Sequence, residues 1–169
     1  MEINALPVYD MSDKPTGCCP RFQPEHWDGQ DLHFRDKLFV RAKTRSLFHI
    51  PLNMSSVFRK TFQSIDNAKA RSERNFVVLS RDQSAWSVEH LFAVNKTVPG
   101  KETISLTGEF VTKVFEGPYR EMPRRCEQLG NTVKAKGNEV KQTYFFYTTC
   151  PKCAKTYGKN YVVGVAELS

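Results

Sequence analysis

The chain has 169 residues, 40% of them hydrophobic and 12% aromatic, enough to bury a sizeable core as one domain without covalent staples. No apolar run approaches the roughly 20 residues that cross a bilayer, and MEINALPVYDMSDKPTG lacks the basic start and apolar stretch of a secretory leader, so a cytosolic chain without membrane contact is expected, with its five cysteines reduced. The net charge of +7 raises the question of a nucleic-acid partner, but RAKTRS, FRK, KARSER, PRRC and KAK lie in different elements with no recognisable DNA-binding spacing, and an evenly charged surface is the simpler account.

Residues 1 to about 35 are rich in Pro, Asp, Gln and Gly without lasting periodicity, which predicts an extended arm packing through Phe22 and Trp27. From Lys37, KLFVRAKTRSLFHI alternates apolar and basic side chains and predicts a strand. NMSSVFRKTFQSIDNAKAR sets Met54, Val57, Phe58, Phe62, Ile65 and Ala68 three and four apart, an amphipathic helix over about 53–70 with Asn53 as N-cap. NFVVLS and WSVEHLFAV read as strands, with the polar RDQSA as the connection between them. After VPGKE the plan repeats. TISLTGEF and VTKVFE are strand-like. A second helix over about 121–136 carries Met122, Cys126, Leu129 and Val133 on one stripe, with Pro123 confined to its first turn and Gly137 ending it. VKQTYFFYTT and NYVVGVAEL supply the last strands. The order is strand, helix, strand, strand, twice over: an α+β domain over residues 36–169, with halves at about 36–96 and 107–168.

The second half, LTGEFVTKVFEGPYREMPRRCEQLGNTVKAKGNEVKQTYFFYTTCP, resembles the gyrase-inhibitor-like (GyrI-like) superfamily. The resemblance lies in Gly108 within a strand, the Gly-Pro-Tyr turn at Gly117, Pro118 and Tyr119 between strand and helix, a Gly-containing turn, and a tyrosine-bearing strand running into Pro. It implies two pseudo-twofold βαββ halves joined in an antiparallel sheet, with helices on one face and a ligand cleft on the other. It also implies a protein that binds hydrophobic small molecules, with a hydrolase in detoxification among the activities to expect. The late strand reads Phe145, Phe146, Tyr147 without the acidic residue common there in the superfamily, which argues against its usual recognition of organic cations.

Within such a cleft the polar groups carry the chemistry. Alternation in WSVEH puts Trp86 and His90 on one face and Glu89 on the other. Glu89 is the candidate catalytic carboxylate, as a general base on water or a partner for a basic ligand, and equally fits a strand glutamate paired with a lysine. Trp86, Glu89, Tyr144 and Tyr147 are the candidate ligand-binding residues, with only one of the two tyrosines able to face the cleft. His26, His33, His49 and His90 show no ligand spacing and receive no role.

Cys18 and Cys19 are adjacent, and Cys150 and Cys153 form CPKC. Together they supply four thiolates, the set that zinc takes in tetrahedral sites, and zinc is the one cofactor the sequence suggests. Three readings stand side by side: a metal site tying the arm to the end of the chain, a redox dithiol, or unconnected thiols. A thiol or zinc protein centred on this cluster is the alternative to the small-molecule binder. Against metal, neighbouring cysteines tend to point apart; against redox work, CPKC is not expected to open a helix after a strand. Cys126 is expected in the core. Oligomeric state is not legible.

Overall fold

The computed structural model describes residues 1–48 and 50–169, with the backbone alone at Tyr119. His49 and the Tyr119 side chain of the Gly-Pro-Tyr turn therefore lie outside the described residues.

Among the described residues, seven antiparallel strands and three α-helices follow in chain order: β1 (Asp31–Leu47), β2 (Ile50–Pro51), α1 (Met54–Asn67), β3 (Val78–Ser84), β4 (Ser87–Ala93), β5 (Thr103–Glu116), α2 (Met122–Ala135), β6 (Val140–Tyr147), α3 (Pro151–Tyr157) and β7 (Tyr161–Leu168). The class is α+β, and both long helices fall where the apolar spacing predicts them. Asn53 holds the N-cap position of α1, yet its side chain serves β1: Oδ1 accepts the backbone N–H of Arg45 at 2.7 Å.

The strand order is β2-β1-β4-β3-β6-β7-β5, and β1 also pairs with β5. The expected sheet with two faces is thus closed into a barrel-like ring, whose faces become an outside and an inside. Closure explains the length of β1. Its residues Asp31 to Val40 pair with β5 and Phe39 to Arg45 with β4, with a break in register between Phe34 and Lys37 where Asp36 adopts φ 49°.

Both long helices cover the outside. Phe58 and Phe62 of α1 meet His90, Phe92 and Phe76. Leu129 and Val133 of α2 pack with Phe115 and Ala166. Gly164 of β7 permits this approach, since a Cβ there would stand 2.9 Å from Leu129 Cδ2.

Opposed residues in antiparallel strands share a face, so the registers define the inside. Leu79, Arg81, Glu89 and Leu91 line it from β3 and β4, and Gln142, Tyr144, Phe146, Val163 and Val165 from β6 and β7. Leu79, Leu91 and Phe146 lie toward one end. Arg81, Glu89 and Gln142 lie toward the other.

The first thirty residues close the apolar end. Tyr9, Phe22 and Trp27 surround Phe146 at ring separations of 5.1, 6.5 and 5.2 Å. Trp27 is fully buried, its Nε1 donating to the Val8 carbonyl at 3.0 Å, while Thr112 Oγ1 donates to the Trp27 carbonyl. The hydroxyl of Tyr9 donates to the Thr148 carbonyl at 2.6 Å.

Candidate functional site

Two groupings carry chemistry, and they lie toward opposite ends of the ring's interior. The first is built on Glu89. Its position on β4, opposite Arg81 of β3 and Lys43 of β1, turns it inward, and its side chain is 4% exposed. Four described contacts converge on Oε2: Arg81 Nη2 at 3.0 Å, Arg81 Nε at 3.3 Å, Gln83 Nε2 at 2.7 Å and Arg41 Nη2 at 3.5 Å. A carboxylate withdrawn from water this far needs such donors to offset its lost hydration.

Around it the polar lip continues. Arg81 Nη1 donates to Gln142 Oε1 at 2.9 Å, and its guanidinium lies over the Tyr144 ring at 5.9 Å. Burial raises the Tyr144 phenol above its ordinary pKa, so it stays a proton donor. Arg41 also reaches Glu102, at 3.4 Å, while its buried Nε is without a partner among the described residues.

The structure brings Glu89 and Tyr144 together and separates the other two candidates. Tyr147, three positions from Tyr144, lies on the outer face beside Phe145, ring centroids 6.3 Å apart. Trp86 stands in the turn before β4, 54% exposed, with its ring 5.0 Å from Phe48. His90 is buried on the helix side between Thr44 Oγ1 at 2.8 Å and Ser80 Oγ at 2.7 Å, and desolvation lowers its pKa to about 4. Arg41, Arg81 and Gln83 escaped the sequence reading. Arg81 and Gln83 belong to RDQSA, expected as a connection; the structure continues β3 through Ser84 and leaves only Ala85 and Trp86 to turn. Their spacing of two, matched to Glu89 across the hairpin, was the available signal.

Cavities of about 360 and 370 Å³ occur elsewhere, the first beside Asn4, Lys37 and Asn75 and the second beside Pro24, Val114 and Tyr161. Neither includes Glu89.

The second grouping is the cysteines. CPKC does open a helix, contrary to expectation: Cys150 is the N-cap of α3, its Sγ accepting the Cys153 N–H at 3.4 Å, and Gly158 ends the helix in the left-handed region at φ 76°. The sulfurs of Cys18, Cys19, Cys150 and Cys153 all lie within 4.8 Å of one another, although the first pair is adjacent in sequence. A hydrogen bond from the Thr16 hydroxyl brings the buried Cys153 thiol down to about 7, while burial pushes that of Cys19 up. Cys126 is exposed on α2, correcting the expectation of a core position. No helix among the described residues is long and apolar enough to cross a membrane.

Residues 9–168 match the sequence model of a family described as bacterial hydrolase. No curated protein matches the chain. Among solved structures, an uncharacterized conserved protein from Listeria innocua superposes with a TM-score of 0.60 at 10% identity, over 84% of this chain and 92% of its own. A hydrolase from Listeria innocua gives 0.58 at 10% identity, over 84% and 92%. The C-terminal domain of EcmrR gives 0.58 at 12% identity, over 85% and 98%. The chain shares the fold of these three structures.

Proposed function

Since the chain belongs to the bacterial hydrolase family, we propose that it binds a hydrophobic small molecule at the polar end of its ring and cleaves it with water, with Glu89 as general base. The observation that carries the reading is the inward carboxylate of Glu89, 4% exposed, beneath a lip of Arg41, Arg81, Gln83 and Tyr144; the second buried carboxylate on this face, Glu167, is paired with Lys141 at 2.5 Å.

The charge balance selects the ligand. Two guanidinium groups already face Glu89, so an organic cation would add a further positive charge in a confined site. A neutral molecule with an oxygen acceptor fits better, because Arg41 and Arg81 would hold that oxygen and stabilise negative charge developing on it. The described donors use Oε2, which leaves Oε1 to take the proton as a water oxygen bonds to the electrophilic carbon. The electron pair of the broken bond stays with the leaving atom, which then receives the proton. Trp86 and Tyr147 have no place in this step. A cytosolic setting, where substrate and reduced thiols coexist, suits the reading.

The test is a panel of neutral aromatic esters, lactones and strained-ring compounds, followed by thermal shift and by mass detection of products. Stabilisation and turnover are expected for some members. Glu89→Gln should retain binding and lose most turnover, and Arg41→Ala should weaken both. Turnover unchanged in Glu89→Gln and in Tyr144→Phe would remove the reaction from this end of the ring.

A further inference from the structure

We infer that Cys18, Cys19, Cys150 and Cys153 bind one zinc ion as four thiolates, and that this ion pins the N-terminal arm across the apolar end of the ring. The inference is independent of Glu89 and of any hydrolysis, since it concerns the other grouping.

Geometry comes first. Zn–S bonds of about 2.3 Å in a tetrahedron require sulfurs roughly 3.8 Å apart. The four Sγ atoms lie within 4.8 Å of one another, and Cys18 and Cys19 stand at 3.6 Å. Small shifts complete the site. Two segments 131 residues apart in sequence have to meet for this, as Cys19 and Cys150 do when the Cys150 N–H donates to Cys19 Sγ at 3.3 Å.

The surrounding donors fit bound thiolates. Cys19 receives the Cys150 N–H, Cys150 receives the Cys153 N–H, and Cys153 has the Thr16 hydroxyl at 3.2 Å. Such hydrogen bonds orient thiolate ligands and spread their charge. The Tyr157 hydroxyl donates to the Cys19 carbonyl at 2.5 Å and meets Thr16 Oγ1 at 3.1 Å, so the arm and α3 are also bound directly. An all-sulfur tetrahedral donor set selects zinc or iron over hard cations. Binding is balanced by proton release, four thiols yielding up to four protons as the Zn–S bonds form, with no change of oxidation state.

The consequence is mechanical. The pinned turn lies between Tyr9 on one side and Phe22 and Trp27 on the other, the three rings that cover Phe146. Holding it fixes the stopper of the interior.

The full chain, purified under reductant without chelator, should contain about one zinc per molecule by elemental mass spectrometry. Cys126 should react at once with a thiol reagent, and the other four only after a strong chelator. Chelation should speed tryptic cleavage after Arg21, and readdition of zinc should reverse it. Cobalt substitution should produce the thiolate-to-metal absorption of a four-sulfur site. Cys150→Ser and Cys19→Ser should lose the metal, and Cys126→Ser should keep it. Five thiols titrating together in folded protein supplied with zinc would overturn the inference. So would iron in place of zinc, or a mass loss showing disulfides among these cysteines in reduced preparations.

Discussion

Glu89 and Arg81 oppose each other across β4 and β3, and Arg81 Nη2 stands 3.0 Å from Glu89 Oε2 inside the ring. Removing one partner of such a pair strands the other's charge. Arg81→Ala should destabilise the fold by about 3 kcal/mol, the lower end of the range because Arg41 and Gln83 remain. Adding Glu89→Gln to Arg81→Ala should recover part of that loss. Urea unfolding of both single variants and of the double variant measures the coupling, and additive losses would show that the pair contributes no mutual energy.

His90 makes stability depend on pH. Burial lowers its pKa from 6.5 to about 4, so the unfolded chain binds a proton that the folded one refuses. Stability is therefore complete above about pH 6.5 and falls as pH drops toward 4, by roughly 3 kcal/mol from this residue. Comparing urea unfolding of wild type and His90→Gln at pH 7 and 4.5 isolates the effect. A pH dependence equal in both proteins would contradict it.

The stopper has a graded cost. Trp27→Ala empties a fully buried site and should cost about 3–5 kcal/mol. Tyr9→Phe keeps the ring and deletes the hydrogen bond to the Thr148 carbonyl, for about 1 kcal/mol. Thermal unfolding should rank them in that order.

Gly164→Ala tests the contact between α2 and the ring. The added methyl would meet Leu129 Cδ2 at 2.9 Å and Phe115 Cε2 at 3.1 Å, and α2 must shift to admit it. A loss of about 1–3 kcal/mol is expected in urea unfolding. Cys126→Ser on the exposed face of the same helix should stay within about 0.5 kcal/mol of wild type.

The parts legible in the sequence were those written in local periodicity. Met54 to Ile65 and Leu129 to Val133 repeat every three or four residues, and both helices follow. Alternation placed Glu89 and His90 on opposite faces, and the structure has one inside and the other under α1. What escaped depends on distant partners. The meeting of β1 and β5 joins residues some seventy positions apart, Phe39 with Ile104 for example, and no window contains both. Arg81 and Gln83 are strand residues that look like loop residues because their inner side is polar, which makes sense only beside a buried carboxylate. The helix α3 has seven residues and no stripe, so only Pro151 and Gly158 marked its ends. Cys126 matched the spacing of its helix, but the buried stripe narrows to Leu129 and Val133.

The ring is not equally strong all the way round. β1 and β5 share an extended ladder, whereas β3 and β6 are joined by a single residue pair, Ser80 with Phe145. Around this seam the cross-links are side chains, Arg81 to Gln142 among them. Breathing of the barrel should therefore concentrate there, where few backbone bonds must break, and the amides of β3 and β6 that face the gap should exchange with solvent before those of β1 and β5. A molecule too large to slip past the lip would gain entry by parting these two strands, with the opposite wall acting as the hinge.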